Sequence, residues 1–129
     1  MENTVYYQNT SQQYLRLPEW YSIHRLSFTS TLFKKTLEYQ IGAQLRIHTP
    51  YLADGFQPLI GQFYLQNQAT NTSYPNMDAF LNIRIADFRF FINAQNIGDY
   101  FRTDFYYPLY QYPLFDATIR FGFRWVFLD

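Results

Sequence analysis

The sequence predicts an all-β protein: an antiparallel up-and-down transmembrane β-barrel, of which this chain is a carboxy-terminal fragment of about six spanning strands. Three observations lead there. Several runs alternate apolar and polar residues over a length beyond the usual soluble strand. Aromatic residues make up 22% of the chain and bracket those runs. No stretch approaches the roughly 18 consecutive apolar residues that a spanning helix needs, and the mean hydropathy is −0.30. Alternating faces hide the lipid-facing half of a barrel strand from such an average.

Taken in order, Thr4 to Leu15 supplies a first crossing. Trp20 to Phe33 follows, with Leu26, Phe28 and Leu32 on a face that also holds His24 and Ser30, against Arg25, Ser27, Thr29 and Thr31. Leu37 to His48 is the strictest run. Leu37, Tyr39, Ile41, Ala43, Leu45 and Ile47 alternate at every position with Glu38, Gln40, Gly42, Gln44, Arg46 and His48. A period of two puts these sets on opposite faces of a strand, whereas a helix would smear them around its axis. Its length suits a tilted bilayer crossing of about 9 to 11 residues better than the soluble mode of about five or six.

Thr49 to Asn76 reads as one outer excursion with local strand structure at Leu59 to Gln66. Counting that piece as a crossing would put the two tight turns on opposite sides of the membrane, and short turns in such barrels collect on the periplasmic side. Met77, Ala79, Leu81, Ile83 and Ile85 form the next apolar face, opposed by Asp78, Phe80, Asn82, Arg84 and Ala86. Phe88, Phe90, Ile92 and Ala94 then oppose Arg89, Phe91, Asn93 and Gln95, so each polar face accepts one phenylalanine. Asn96 to Phe115 is a second long outer loop. The last strand sets Ala117, Ile119, Phe121, Phe123, Trp125 and Phe127 against Asp116, Thr118, Arg120, Gly122 and Arg124, with Val126 the one exception. Turn register agrees, because residues flanking a two-residue turn are cross-strand partners and share a face. Phe33 and Thr36 do so around Lys34-Lys35, and Ile85 and Phe88 around Ala86-Asp87.

Ten Lys plus Arg against ten Asp plus Glu leave no net charge, so a nucleic-acid partner is not expected. Cysteine is absent, which removes thiol chemistry and disulfides. Met1-Glu2-Asn3-Thr4 has neither the basic nor the apolar region of an export signal. About six strands fall short of the roughly eight that close a single-chain barrel. Residues 1–129 are therefore expected to be part of one outer-membrane barrel domain, completed by missing amino-terminal strands or by other subunits. The alternative from the pattern alone is a soluble sandwich with one dry face.

Longer motifs carry a resemblance. Leu15-Arg16-Leu17-Pro18-Glu19, Leu32-Phe33-Lys34-Lys35, Thr49-Pro50-Tyr51-Leu52-Ala53-Asp54 and Gly61-Gln62-Phe63-Tyr64-Leu65-Gln66-Asn67 are ordered and spaced as in the putative porin family of Bacteroidetes. So are Tyr74-Pro75, Asp78-Ala79-Phe80-Leu81-Asn82 and the ending Arg120-Phe121-Gly122-Phe123-Arg124-Trp125 with a final aspartate. From about Gln12 onward the chain resembles the carboxy-terminal part of that family. The resemblance implies a barrel in the outer membrane of a Gram-negative bacterium, with passive passage of small hydrophilic solutes and no catalytic residue to carry over. The ending, with Asn93 to Asn96 and a Tyr-rich loop, is also similar to that of TonB-dependent receptors, though no plug or energy-coupling box is visible.

The candidate lumen charges are Arg25, Arg46, Arg84, Arg89, Arg120 and Arg124 against Glu38, Asp78 and Asp116, with Asp54, Asp99 and Asp104 in loops. A surplus of guanidinium on a pore wall favours anions. The alternative is that each arginine pairs with a carboxylate on a neighbouring strand and only ties the wall together. Trp20 and Tyr21 at one end, with Phe33, Trp125 and Phe127 at the other, suit a membrane girdle. The loop rings Tyr100, Phe101, Phe105, Tyr106, Tyr107, Tyr110, Tyr112 and Phe115 are read as a headgroup-level belt, ahead of a platform for an outside ligand. Phe121, Phe123, Trp125 and Phe127 resemble the terminal signal read by barrel-assembly machinery. His24 and His48 with Ser22, Ser27 or Ser30 have no hydrolase spacing, and neither a zinc pattern nor a phosphate loop is present. No enzyme activity, metal or cofactor is expected.

Overall fold

Alternation gives each strand two unlike faces, and pairing in register carries each face across a whole sheet. The computed structural model describes residues 1–11, 14–34, 36–101 and 106–127. Its strands are β1 (Glu2–Tyr7), β2 (Trp20–Leu32), β3 (Leu37–His48), β4 (Gly55–Gln57), β5 (Gln62–Tyr64), β6 (Asn76–Ile85), β7 (Phe88–Gln95) and β8 (Thr118–Trp125), with a 3-10 turn at Ile97–Phe101. One antiparallel sheet of six strands runs β1-β2-β3-β6-β7-β8, and β4 pairs with β5 in a separate hairpin. The protein is thus all-β, a meander interrupted by one excursion. Residues 49–75 are that excursion; of the strand expected at Leu59 to Gln66 only Gln62–Tyr64 forms, paired with Gly55–Gln57, because Leu59 to Gly61 make the turn between them.

β3 and β7 have the ends that their periodicity sets, and β2 and β6 differ from expectation by a residue at one end. The first crossing is corrected from Thr4–Leu15 to Glu2–Tyr7. Its ladder runs out because β2 begins at Trp20, the partner of Tyr7. The last rung is Gln8 N–H to the Glu19 carbonyl at 2.9 Å, and Pro18 beyond it has no N–H to continue. β8 is also shorter than expected. Its partner β7 ends at Gln95, after which Asn96 turns into the left-handed region at φ 55°, and Asp99 Oδ2 accepts from Ala117 N–H at 3.1 Å. Asp116 therefore sits in the loop and not on the strand.

Both tight turns have the register expected of them. Ile85 pairs with Phe88 across Ala86-Asp87, and Leu32 pairs with Leu37 around a turn closed by Thr36 N–H to the Phe33 carbonyl at 3.1 Å. Lys35 lies outside the described residues, as do Asp104, Phe105 and Asp129. No glycine occupies either turn; Phe33, Lys34 and Ala86 take φ of 50°, 56° and 49°.

The apolar face consists of rows running across the strands. Phe28, Ile41, Leu81, Ile92 and Phe121 form one; Leu32, Leu37, Ile85, Phe88 and Trp125 form another. Among the described residues nothing covers them: Phe28 is 59% exposed and Phe121 75%. Among the described residues, the buried apolar ones are Ala53 and Tyr74, and neither is on the sheet. The accessible surface of 10030 Å² compares with about 7,300 Å² for a soluble monomer of this mass. A sandwich would need a second layer over this face, and the six-stranded sheet is single-layered. β1 and β8 are its open edges. Tight turns lie at one end, and the described parts of segments 8–19, 49–75 and 96–117 at the other.

Candidate functional site

The polar face of the sheet and the loops folded onto its far end form the site. Arg25 on β2, Glu38 and Arg46 on β3, Asp78 and Arg84 on β6, Arg89 on β7, and Arg120 and Arg124 on β8 all share this face by register. Six arginines thus face three strand carboxylates, Glu2, Glu38 and Asp78.

At the loop end a polar network joins sheet to loops. Arg46 pairs with Asp78 and reaches Asn76 Oδ1 at 3.2 Å. Asp78 Oδ1 accepts from Asn96 N–H at 2.9 Å. Asn96 is buried and fully used: its Nδ2 donates to the Phe115 carbonyl at 2.8 Å, and its Oδ1 accepts from the Tyr74 hydroxyl. Tyr74 stacks on Tyr106, ring centroids 4.6 Å apart, and the Tyr106 hydroxyl meets His48 Nε2 at 2.6 Å. Burial, with Tyr51 adding to it, pushes the Tyr106 hydroxyl above its ordinary pKa. Beside this network Gln66 makes four bonds, donating to the Ala53 and Ala69 carbonyls and accepting from the Gln68 and Ala69 amides. Arg16 reaches the Gln66 carbonyl and Asn67 Oδ1. The dry core of this chain is therefore in its loops.

Midway along the face, the two phenylalanines that break the polar pattern each lie over a glycine. Phe80 is the partner of Gly42, and Phe91 of Gly122. Arg25 holds its guanidinium 5.1 Å from the Phe80 ring centre, a cation–π distance. Asn82 Nδ2 donates to Gln40 Oε1 at 3.1 Å. Nearer the tight turns, Arg84 lies 3.7 Å from Glu38, and Arg84, Arg89 and Arg124 are consecutive cross-strand partners. Both readings of the arginines have examples: Arg46 and Arg84 have carboxylate partners, whereas no ion pair reaches Arg25, Arg89, Arg120 or Arg124 among the described residues.

The aromatic residues divide. Trp20 is on the apolar face and packs on Tyr7 at 4.7 Å, whereas Tyr21, its neighbour in sequence, points to the polar face as the partner of His48. The two do not share a girdle, because adjacent strand residues face opposite ways. Phe121, Phe123 and Trp125 share the outward face, and Phe127, beyond the strand end, stacks on Trp125 at 4.7 Å. Of the loop rings, Tyr106 turns inward onto His48, Tyr110 donates to Gln68 Oε1 at 2.6 Å, and Tyr112 meets Phe56 edge-on at 6.0 Å. These three rings contact other loop or strand residues, with Tyr112 still 38% exposed. Tyr107 remains 42% exposed. His24, on the apolar side, bonds Asn3 Oδ1 at 2.9 Å, so the two histidines lie on opposite faces and neither has a serine partner.

The loop network, the Phe–Gly pairs and the arginine row are not apparent from the strands read singly. The signal for the Phe–Gly pairs is Gly42 and Gly122, which meet the two misplaced phenylalanines once register is applied. A family model described as putative porin matches residues 1–129, the whole chain. No match was found among curated proteins or solved structures.

Proposed function

The chain belongs to the putative porin family, and from that premise we propose that its sheet is a section of a barrel wall in the outer membrane, giving passive passage to small hydrophilic solutes with a preference for anions. The observation that carries this reading is the sheet's two unlike faces, the apolar one bare of protein among the described residues and the polar one covered only at its loop end. Uncovered rows such as Phe28, Ile41, Leu81, Ile92 and Phe121 suit hydrocarbon, in which every backbone group must find a partner within the sheet. The opposite face offers amide, hydroxyl and guanidinium groups that water and polar solutes can solvate.

The open edges β1 and β8 are completed by further strands of the same barrel or by other subunits. Loop contacts through His48, Asp78 and Asn96 lie on the polar side, so the loops narrow the passage from its outer end. Arginine exceeds carboxylate on the wall, which lowers the barrier for anions. The outward Phe121, Phe123 and Trp125, with Phe127, suit recognition by assembly machinery.

Liposomes carrying the protein are expected to swell in sugars at rates that fall with sugar size, and to give a reversal potential on the anion side in a salt gradient. Impermeable liposomes, or protein that stays folded and monodisperse in buffer without surfactant, would overturn the passage. A cation-side potential would overturn the preference.

A further inference from the structure

Resting on the reading of the polar face as the wall of a water passage, we infer that Arg84, Arg89 and Arg124 bind a doubly charged oxyanion, inorganic phosphate or a phosphate monoester. Register sets the three side by side on neighbouring strands: Arg84 partners Arg89, and Arg89 partners Arg124. Like charges directly opposed across an antiparallel pair destabilise the sheet. A row of three therefore calls for counter-charge. The sheet supplies one unit, from Glu38, whose Oε2 lies 3.7 Å from Arg84 Nη1. Among the described residues no carboxylate pairs with Arg89 or Arg124. Two positive charges are left over.

Beside the row is a trough of about 550 Å³. The hydrogen-bonded Gln40 and Asn82 line it, together with Phe91, whose ring lies over Gly122. Forked guanidinium N–H pairs match phosphoryl oxygens bidentately. A phosphate monoester near pH 7 carries about −1.5 to −2, and inorganic phosphate slightly less, close to the charge the row lacks. Chloride neutralises half of that and cannot span two forks. The amides and the ring then suit the hydroxyls and the carbon face of an esterified polyol.

The test is equilibrium dialysis of the full chain in detergent against radiolabelled inorganic phosphate, in a chloride background, with circular dichroism checking each variant's sheet content. Saturable binding is expected. Arg89→Gln with Arg124→Gln should weaken it at least about tenfold, since charge-assisted bonds are lost. Arg89→Lys with Arg124→Lys should weaken it severalfold, because charge remains while the forks are lost. Absence of saturable binding, or undiminished binding in either folded double variant, would overturn the site. Phosphate binding by protein that leaves liposomes impermeable to sugars would sink the passage and keep the site; sugar passage without phosphate binding would do the reverse.

Discussion

Gly42 and Phe80 are direct cross-strand partners, and a Cβ on Gly42 would come within 2.7 Å of the Phe80 ring. The pair recurs as Gly122 with Phe91, where the distance to the same ring atom, Cε1, is also 2.7 Å. In each case the absent side chain makes room for a ring to lie flat along the polar face.

Gly122→Ala is therefore expected to destabilise the sheet by about 1–3 kcal/mol, as overpacking does. Combined with Phe91→Ala, the loss should be smaller than the sum of the two. At Gly42 the Leu26 carbonyl also stands 2.7 Å from the new Cβ, so Phe80→Ala should rescue Gly42→Ala less completely. Urea midpoints of unfolding from vesicles measure both cycles.

Ala86 occupies the tight β6–β7 turn at φ 49°. A left-handed conformation costs a non-glycine residue about 1–2 kcal/mol. Ala86→Gly should raise stability by about 1 kcal/mol without shifting the Ile85–Phe88 register, which a urea midpoint and an unchanged dichroism spectrum would check.

Asn96 joins β6, the Phe115 carbonyl and Tyr74. Asn96→Ala removes the buried side-chain bonds to the Phe115 carbonyl and the Tyr74 hydroxyl, a cost of about 1–3 kcal/mol. The expected outcome is faster proteolysis within 97–117 while strand content holds. Equal loss of both would show that the loops and the sheet unfold as one.

The Tyr106 hydroxyl has a raised pKa, so folding favours its neutral form. Its contribution is complete below the ordinary tyrosine value of about 10 and is lost as pH rises from there toward the folded value. Loop proteolysis should accelerate above about pH 10. Tyr106→Phe should start looser, having lost the His48 bond, and show a flatter rise.

Much of this architecture was legible because a period of two survives wherever each face meets one medium. β3 obeys it at every residue, and its ends follow from the sequence. β1 does not, since its end is set by where β2 supplies a partner; Tyr7 and Trp20 belong to distant segments. The lateral order of the arginines was hidden for the same reason: Arg84 and Arg124 become neighbours of Arg89 only through pairing. Aromatic density in the last loop reads as a belt ahead of a ligand platform, and the inward turn of Tyr106 rests on a partner 58 residues away, His48.

With Ala53 and Tyr74 as the buried apolar residues described, the sheet leaves its whole greasy flank in contact with the surroundings. Squeezing out solvent therefore drives this ribbon into shape less strongly than it drives a protein with an enclosed interior. On the outer-membrane reading proposed above, lipid supplies the missing incentive, and the sheet is expected to gain most of its stability on insertion.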